Sequence, residues 1–438
     1  MREKLLPLFP DGAGFTPEGH LHLGGCDTTA LAAQFGTPLY VFDEATLRRS
    51  ARYYREAFQK LYPDALVLYA SKSFIHPALA RIFQEEGLGL DVVSGGELAV
   101  AQAAGFPMDK VYFHGNNKSE AELEQAVGAG VGRIVVDNFH ELSLLSGVAR
   151  KLGKVQSILL RVSPGIDAHT HRLTTTGIVD SKFGFLMITG QAEEAVRQAL
   201  ALRQLRLVGL HFHLGSPIYE SEPYREAIEI VLPFAAQMRA RHGLDLAEFS
   251  PGGGFAISYT EDRPAPMPAL YADAIVSTVK TQADALGLPL PRLIVEPGRA
   301  LVGRAGVALY TVGGSKDIPG VRRYVFLDGG MGDNIRPALY GAIYRALVAN
   351  KREGEKRERV TLAGKFCESG DILIQDIDLP PLEPGDLVAL PAAGAYCLAM
   401  ASNYNASLKP AVVMVKEGQA RLVRRRETYQ DLMRCDLL

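Results

Sequence analysis

No apolar run in this 438-residue chain approaches the roughly 18 residues needed to cross a bilayer. Its start, Met1-Arg2-Glu3-Lys4, is followed by neither a long apolar stretch nor a small-residue cleavage site. A cytoplasmic protein without membrane contact is expected. An excess of either charge is also missing: 47 Lys and Arg stand against 49 Asp and Glu, a net charge of -2. With no basic stripe, nucleic acid and anionic lipid are poor partners, and small molecules are better ones. Cysteine is scarce. Cys26, Cys367, Cys397 and Cys435 show no CxxC spacing, which excludes a disulfide framework and a zinc pattern and leaves each, on its own, a buried thiol.

What the chain does have is length and order. It exceeds the roughly 250 to 300 residues at which single cores stop growing, so two domains are expected. Short apolar runs at 66–71, 88–93, 111–113, 134–136, 158–160, 207–212, 247–250 and 293–295 alternate with helical stretches, the first four starting 22 or 23 residues apart. That spacing fits repeated βα units. Continuously apolar runs such as Ile134-Val135-Val136 suit parallel strands covered on both faces, and none alternates as an exposed edge strand would. The pattern predicts a (β/α)8 TIM-like barrel over 36–304 rather than an open doubly wound sheet. After about residue 300 the chain is broken by Gly-Gly, Asp-Gly-Gly and Pro-Gly, the punctuation of β structure. Residues 1–35 and 305–438 are therefore expected to form a second, mostly β domain.

In a parallel barrel the C-terminal strand ends converge on one mouth. Here they supply Lys72, then Asp91 with Ser94 and Glu97, then His114, Asn138 and Arg161. His213 with Ser216, Gly252-Gly253-Gly254 and Glu296-Pro297-Gly298-Arg299 follow. An amine, an anion-binding glycine loop and a carboxylate beside an arginine are what pyridoxal 5'-phosphate (PLP) needs. Lys72, read as buried at the end of an apolar run, would be neutral often enough to attack the cofactor's aldehyde. The glycines would offer backbone N–H groups to the phosphate, with Arg299 and the Ser216 hydroxyl adding to the cradle. Glu296 would keep the ring nitrogen protonated. Each feature also has a plain structural reading: a packed lysine, a flexible turn, a Glu296–Arg299 ion pair, and helix caps at Asp91 and Glu97. The pairs His211/His213 and His169/His171 raise a metal, but no Asp, Glu or Cys lies at suitable spacing; no metal is expected, with His213 stacked on the cofactor and His211 a satisfied interior histidine.

Five motifs carry a resemblance along almost the whole chain: Tyr69-Ala70-Ser71-Lys72, His211-Phe212-His213-Leu214-Gly215-Ser216, Glu296-Pro297-Gly298-Arg299, Cys367-Glu368-Ser369-Gly370-Asp371 and Ser402-Asn403-Tyr404-Asn405. In them the chain resembles the fold type III, alanine-racemase-like PLP-dependent decarboxylases, within them most closely those acting on diaminopimelate. The resemblance implies that Lys72 carries the cofactor, that His213 stacks on it, and that Gly254 and the 296–299 turn hold its phosphate and ring nitrogen. It implies that Tyr396 touches cofactor and substrate, that Arg299, Arg336, Tyr340 and Glu368 bind the substrate, and that Cys367 returns a proton. It also implies a homodimer in which Cys367 and Glu368 enter the partner's site, and release of L-lysine and CO2 from meso-2,6-diaminopimelate. Related activities on carboxynorspermidine, ornithine, arginine or a carrier-linked amino acid, a racemase, and a non-catalytic PLP-binding protein are the alternatives. Pro217 stands where the family pattern leads one to expect Gln, removing a side-chain amide and a backbone donor near the phosphate.

Overall fold

The computed structural model describes residues 2–166, 176–177, 180–352, 354 and 356–437; His169 and His171 lie outside them. The chain divides into two compact units, one of residues 51–256 and 266–298, the other of 1–50, 257–265 and 299–438.

The first unit is a closed parallel barrel. Its strands are β1 (Ala65–Ala70), β2 (Gly89–Val92), β3 (Val111–Phe113), β4 (Arg133–Val136), β5 (Gln156–Ser163), β6 (Leu205–His211), β7 (Glu248–Ser250) and β8 (Arg292–Val295). Closure comes where β8 returns to β1, with Leu293 opposite Ala65, Ile294 opposite Leu66 and Val295 opposite Val67. These are the eight runs expected from the apolar pattern. Leu68, Tyr112, Val135, Leu159, Val208 and Ile294 pack together inside as one buried layer, so the barrel is a filled core with its chemistry at the rim. Full burial of each such side chain contributes roughly 1.5 to 3 kcal/mol.

Three of the crossover helices open on side-chain caps. Ser94, Ser119 and Asn138 are N-caps whose side chains accept from the backbone N–H of Glu97, Glu122 and Glu141. The helices after β2 and β4 begin three residues past the strand end and so hold those ends still. This is how the rim residues acquire fixed positions.

The second unit is built on a sheet in the order Ile372–Leu379, Glu358–Ala363, Arg322–Leu327, Gly306–Ile318, Leu39–Asp43, Ala411–Lys416 and Gln419–Arg424. The expected boundary at residue 36 is corrected here. Leu39–Asp43 is not a barrel element; it pairs antiparallel with Gly306–Ile318 and parallel with Ala411–Lys416. All five of its residues are buried, so its composition matches that of a barrel strand and apolar pattern alone does not separate the two. Residues 257–265, expected within the barrel, also belong to this unit.

Candidate active site

At the barrel rim five buried groups form one hydrogen-bonding and ionic cluster. Glu296, just past β8, accepts from the Ser250 hydroxyl at 2.8 Å and from His211 Nε2 at 3.2 Å, with His114 Nε2 3.6 Å from its other oxygen. His114 Nε2 is also 3.7 Å from Asp91 Oδ1. Burial alone would raise the Glu296 carboxyl, but His211, His114 and the Ser250 hydroxyl outweigh it and hold it below the usual carboxylate range. Asp91 goes the other way: burial pushes it well above that range, the charge on Glu296 adds to this, and Lys72 opposes it. Burial likewise keeps His114 neutral, pushing it well below the ordinary histidine value. Two carboxylates driven apart in this way are a signature of acid–base chemistry.

His211 is therefore not the satisfied interior histidine expected. It is buried at 1% exposure and joined to Glu296, yet its Nδ1 has no partner. His211 groups instead with His114 and Glu296, the donor atoms of the three lying within 4.8 Å of one another.

Lys72 corrects a second expectation. The β1 strand ends at Ala70, a short 3-10 turn carries Ser71–Ser73, and Lys72 is exposed. The apolar burial of the strand stops two residues before the amine, so the argument for its reactivity from burial does not hold. Its charge still acts on its surroundings, helping to pull Glu97 down against burial and, with burial, to push His213 well below its ordinary value. Glu97 accepts from the Val93 N–H at 2.8 Å, holding the backbone just past β2.

The glycine loop is narrower than its sequence. Gly252 donates to Ser250 Oγ at 3.2 Å and Gly253 to His213 Nδ1 at 3.3 Å. An accepting Nδ1 places the proton of the neutral His213 ring on Nε2. A Cβ on Gly253 would meet the Glu296 carbonyl oxygen at 2.0 Å, and Gly254 has φ +104, so neither position accepts a side chain. The Ser216–Pro217 bond beside this loop is cis.

The second unit carries its own polar cluster. Arg299 donates to the Tyr259 hydroxyl at 2.6 Å and lies 4.7 Å from the Tyr396 ring centroid. Arg336 is buried between aromatic faces, 4.7 Å from the Tyr259 ring and 5.4 Å from that of Tyr344, and donates to the Tyr344 hydroxyl. Its Nε has no partner. The Tyr344 hydroxyl also lies 3.4 Å from the buried Cys397 thiol, which burial pushes up to about 11. Tyr396 has φ +60, a left-handed conformation that costs a non-glycine residue about 1 to 3 kcal/mol and marks a position held by its surroundings.

Cys367 and Glu368 are exposed on a loop whose base is pinned. Asp371 accepts from the Met331 and Phe366 N–H groups at 2.7 and 2.8 Å, and Asn405 Oδ1 accepts from the Cys367 N–H at 2.9 Å. Tyr340, half-buried, has its hydroxyl 4.0 Å from the Met400 sulfur.

Comparison with known proteins matches residues 45–303 to the family model described as the pyridoxal binding domain of pyridoxal-dependent decarboxylases. The chain is 48% identical to a diaminopimelate decarboxylase of Bacillus subtilis over 420 residues, 96% of this chain and 95% of that one. The chain belongs to the diaminopimelate decarboxylase family. A Synechocystis member is 44% identical over 445 residues, spanning all of this chain and 93% of its own. Among solved structures, a diaminopimelate decarboxylase of M. jannaschii in complex with L-lysine superimposes with a TM-score of 0.92 at 34% identity, covering 98% of both chains.

Within this family fold, sequence reasoning named Arg299, Arg336 and Tyr396 but missed Tyr259, Tyr344 and Cys397, which surround them. Ser258-Tyr259 follows the glycine loop by four residues and Tyr344 follows Arg336 by eight. Neither spacing is a motif, because the ring contacts are made across loops.

Proposed function

We propose that this chain decarboxylates meso-2,6-diaminopimelate to L-lysine with PLP, the last step of lysine biosynthesis. What supports the substrate is Arg336, a buried guanidinium with an unpartnered Nε, which shares the neighbour Tyr259 with a second arginine, Arg299: a site suited to a carboxylate that the reaction leaves in place. A diamine precursor has no group to match it.

The barrel unit fits the cofactor. Asp91 Oδ1, His114 Nε2 and His211 Nδ1 are buried polar atoms without partners around an ionised Glu296, an arrangement suited to a polar aromatic ring and costly without one. Lys72 would hold the cofactor through its amine, His213 would flank the ring, and Glu296 would fix a proton on the ring nitrogen. With the N–H groups of Gly252 and Gly253 engaged, the phosphate role narrows to Gly254, Ser216 and the Glu296-Pro297-Gly298-Arg299 turn. When bound, PLP supplies an electron sink for the pair left as CO2 departs. Arg299, Arg336, Tyr340, Glu368 and Tyr396 would orient the substrate. Cys367 Sγ would deliver the proton that takes the place of the carboxylate. An exposed Cys367–Glu368 loop with a rigid base suits insertion into a second copy, so the working form is read as a homodimer with shared sites.

The test is direct. Purified protein with PLP should release CO2 from meso-diaminopimelate and form lysine in preference to acting on ornithine, arginine or carboxynorspermidine. Preference for any of those three would remove the substrate assignment.

A further inference from the structure

One side chain, Tyr259, lies against both of the arginines assigned to the substrate. Tyr259 accepts from Arg299 through its hydroxyl at 2.6 Å and presents its ring to Arg336 at 4.7 Å, while packing edge-on against Tyr344 at 5.5 Å between centroids. Two guanidinium groups repel, and an arginine has enough rotatable bonds to move away from a like charge unless it is held. A tyrosine meets both needs: its oxygen takes the fork of one, and the negative face of its ring takes the plane of the other. Tyr344 closes Arg336 from a second side and accepts from it.

Resting on the substrate reading above, we propose that Tyr259 is a specificity-positioning residue: it sets the spacing of Arg299 and Arg336 so that they grip the carboxylate retained in the product. Tyr259 touches neither the bond that breaks nor the proton that moves. Its influence therefore falls on binding of the amino acid rather than on the rate of the bound complex. A hydrogen bond to a charged group, when removed, weakens such binding by about tenfold.

The experiment compares L-lysine, which keeps the retained carboxylate, with 1,5-diaminopentane, the same carbon and nitrogen chain without any carboxylate. Binding of each to the PLP-loaded enzyme is followed through cofactor absorbance, alongside KM and kcat for meso-diaminopimelate. Tyr259→Phe keeps the ring and loses the oxygen; Tyr259→Leu loses both. In Tyr259→Phe, lysine affinity should fall and KM should rise by about tenfold, with kcat and diamine affinity within about twofold of wild type. Tyr259→Leu should widen the same split. Equal loss for lysine and diamine, an effect confined to kcat, or no effect in either variant would overturn the role. So would wild-type enzyme that binds lysine no better than the diamine. Failure of wild type to release CO2 from meso-diaminopimelate would instead strike the substrate reading, and the lysine-to-diamine ratio, which needs no turnover, would still decide the role of Tyr259.

Discussion

Asp91 and Glu296 both approach one imidazole nitrogen, at 3.7 and 3.6 Å from His114 Nε2, and their carboxyl groups are driven in opposite directions. Glu296 keeps its charge because histidines and a hydroxyl surround it. Asp91 gives its charge up because it is buried, and the charge already on Glu296 adds to this. A site arranged this way presents a single negative charge at the rim of the barrel, where a protonated ring nitrogen needs one.

Glu296→Gln removes that charge and leaves the shape. Activity on meso-diaminopimelate should fall by about 10²-fold or more, with PLP still bound. Retention of full kcat would show that the ring nitrogen is governed elsewhere.

Lys72 should become permanently labelled when the holoenzyme is reduced with borohydride and its peptides are mapped by mass. Exposure of the amine, rather than burial, is the state in which it waits. A pyridoxyl group on another lysine, or none, would refute the cofactor assignment.

Cys367→Ala should slow turnover by about 10²-fold or more while cofactor absorbance stays at its wild-type value. Loss of both together would place the thiol in the scaffold.

Lys72→Ala and Cys367→Ala chains, each nearly inactive, should complement when coexpressed. If each site draws Lys72 from one chain and Cys367 from the other, random pairing restores about a quarter of wild-type activity. No recovery in the mixture would argue for sites completed within one chain.

Asp333 gives a pH signature. Burial pushes its carboxyl up to about 6 although Tyr310, the Gly330 N–H and Tyr40 donate to it. A raised carboxyl stabilises the fold most below the unfolded value, near 3.9, and loses that contribution as pH rises through about 6. The loss is on the order of 3 kcal/mol. Asp333→Asn cannot ionise, so the melting temperature of wild type should decline relative to the variant between pH 4 and pH 7. A constant difference across that range would contradict the assignment.

The barrel was legible because each parallel strand is buried on both faces and reads as an apolar run, from Leu66 to Val295. Leu39–Asp43 was misplaced for the same reason: a central strand of the second sheet is buried on both faces as well. Lys72 and Glu296 were legible as residue types at strand ends, but charge state was not. The ionisation of Glu296 follows from neighbours 85 and 182 positions away in the chain, His211 and His114, and the neutrality of His114 follows from burial against Glu296's opposing pull. The Tyr259 ring between two arginines left no trace in spacing, because loops set its position without a repeat.

The sheet of the second unit takes Leu39–Asp43 from one end of the chain and Ala411–Lys416 from the other, with the whole barrel threaded between them. During synthesis the early strand gains its partner Gly306–Ile318 only after the barrel is made, and its other flank must wait for Ala411–Lys416, whereas the barrel can close as soon as β8 is made. Ribosomal order thus makes the barrel an early folder and the sheet a late one. A chain cut short before residue 411 leaves a greasy ribbon with one open edge, a natural mark for the proteases that clear unfinished protein.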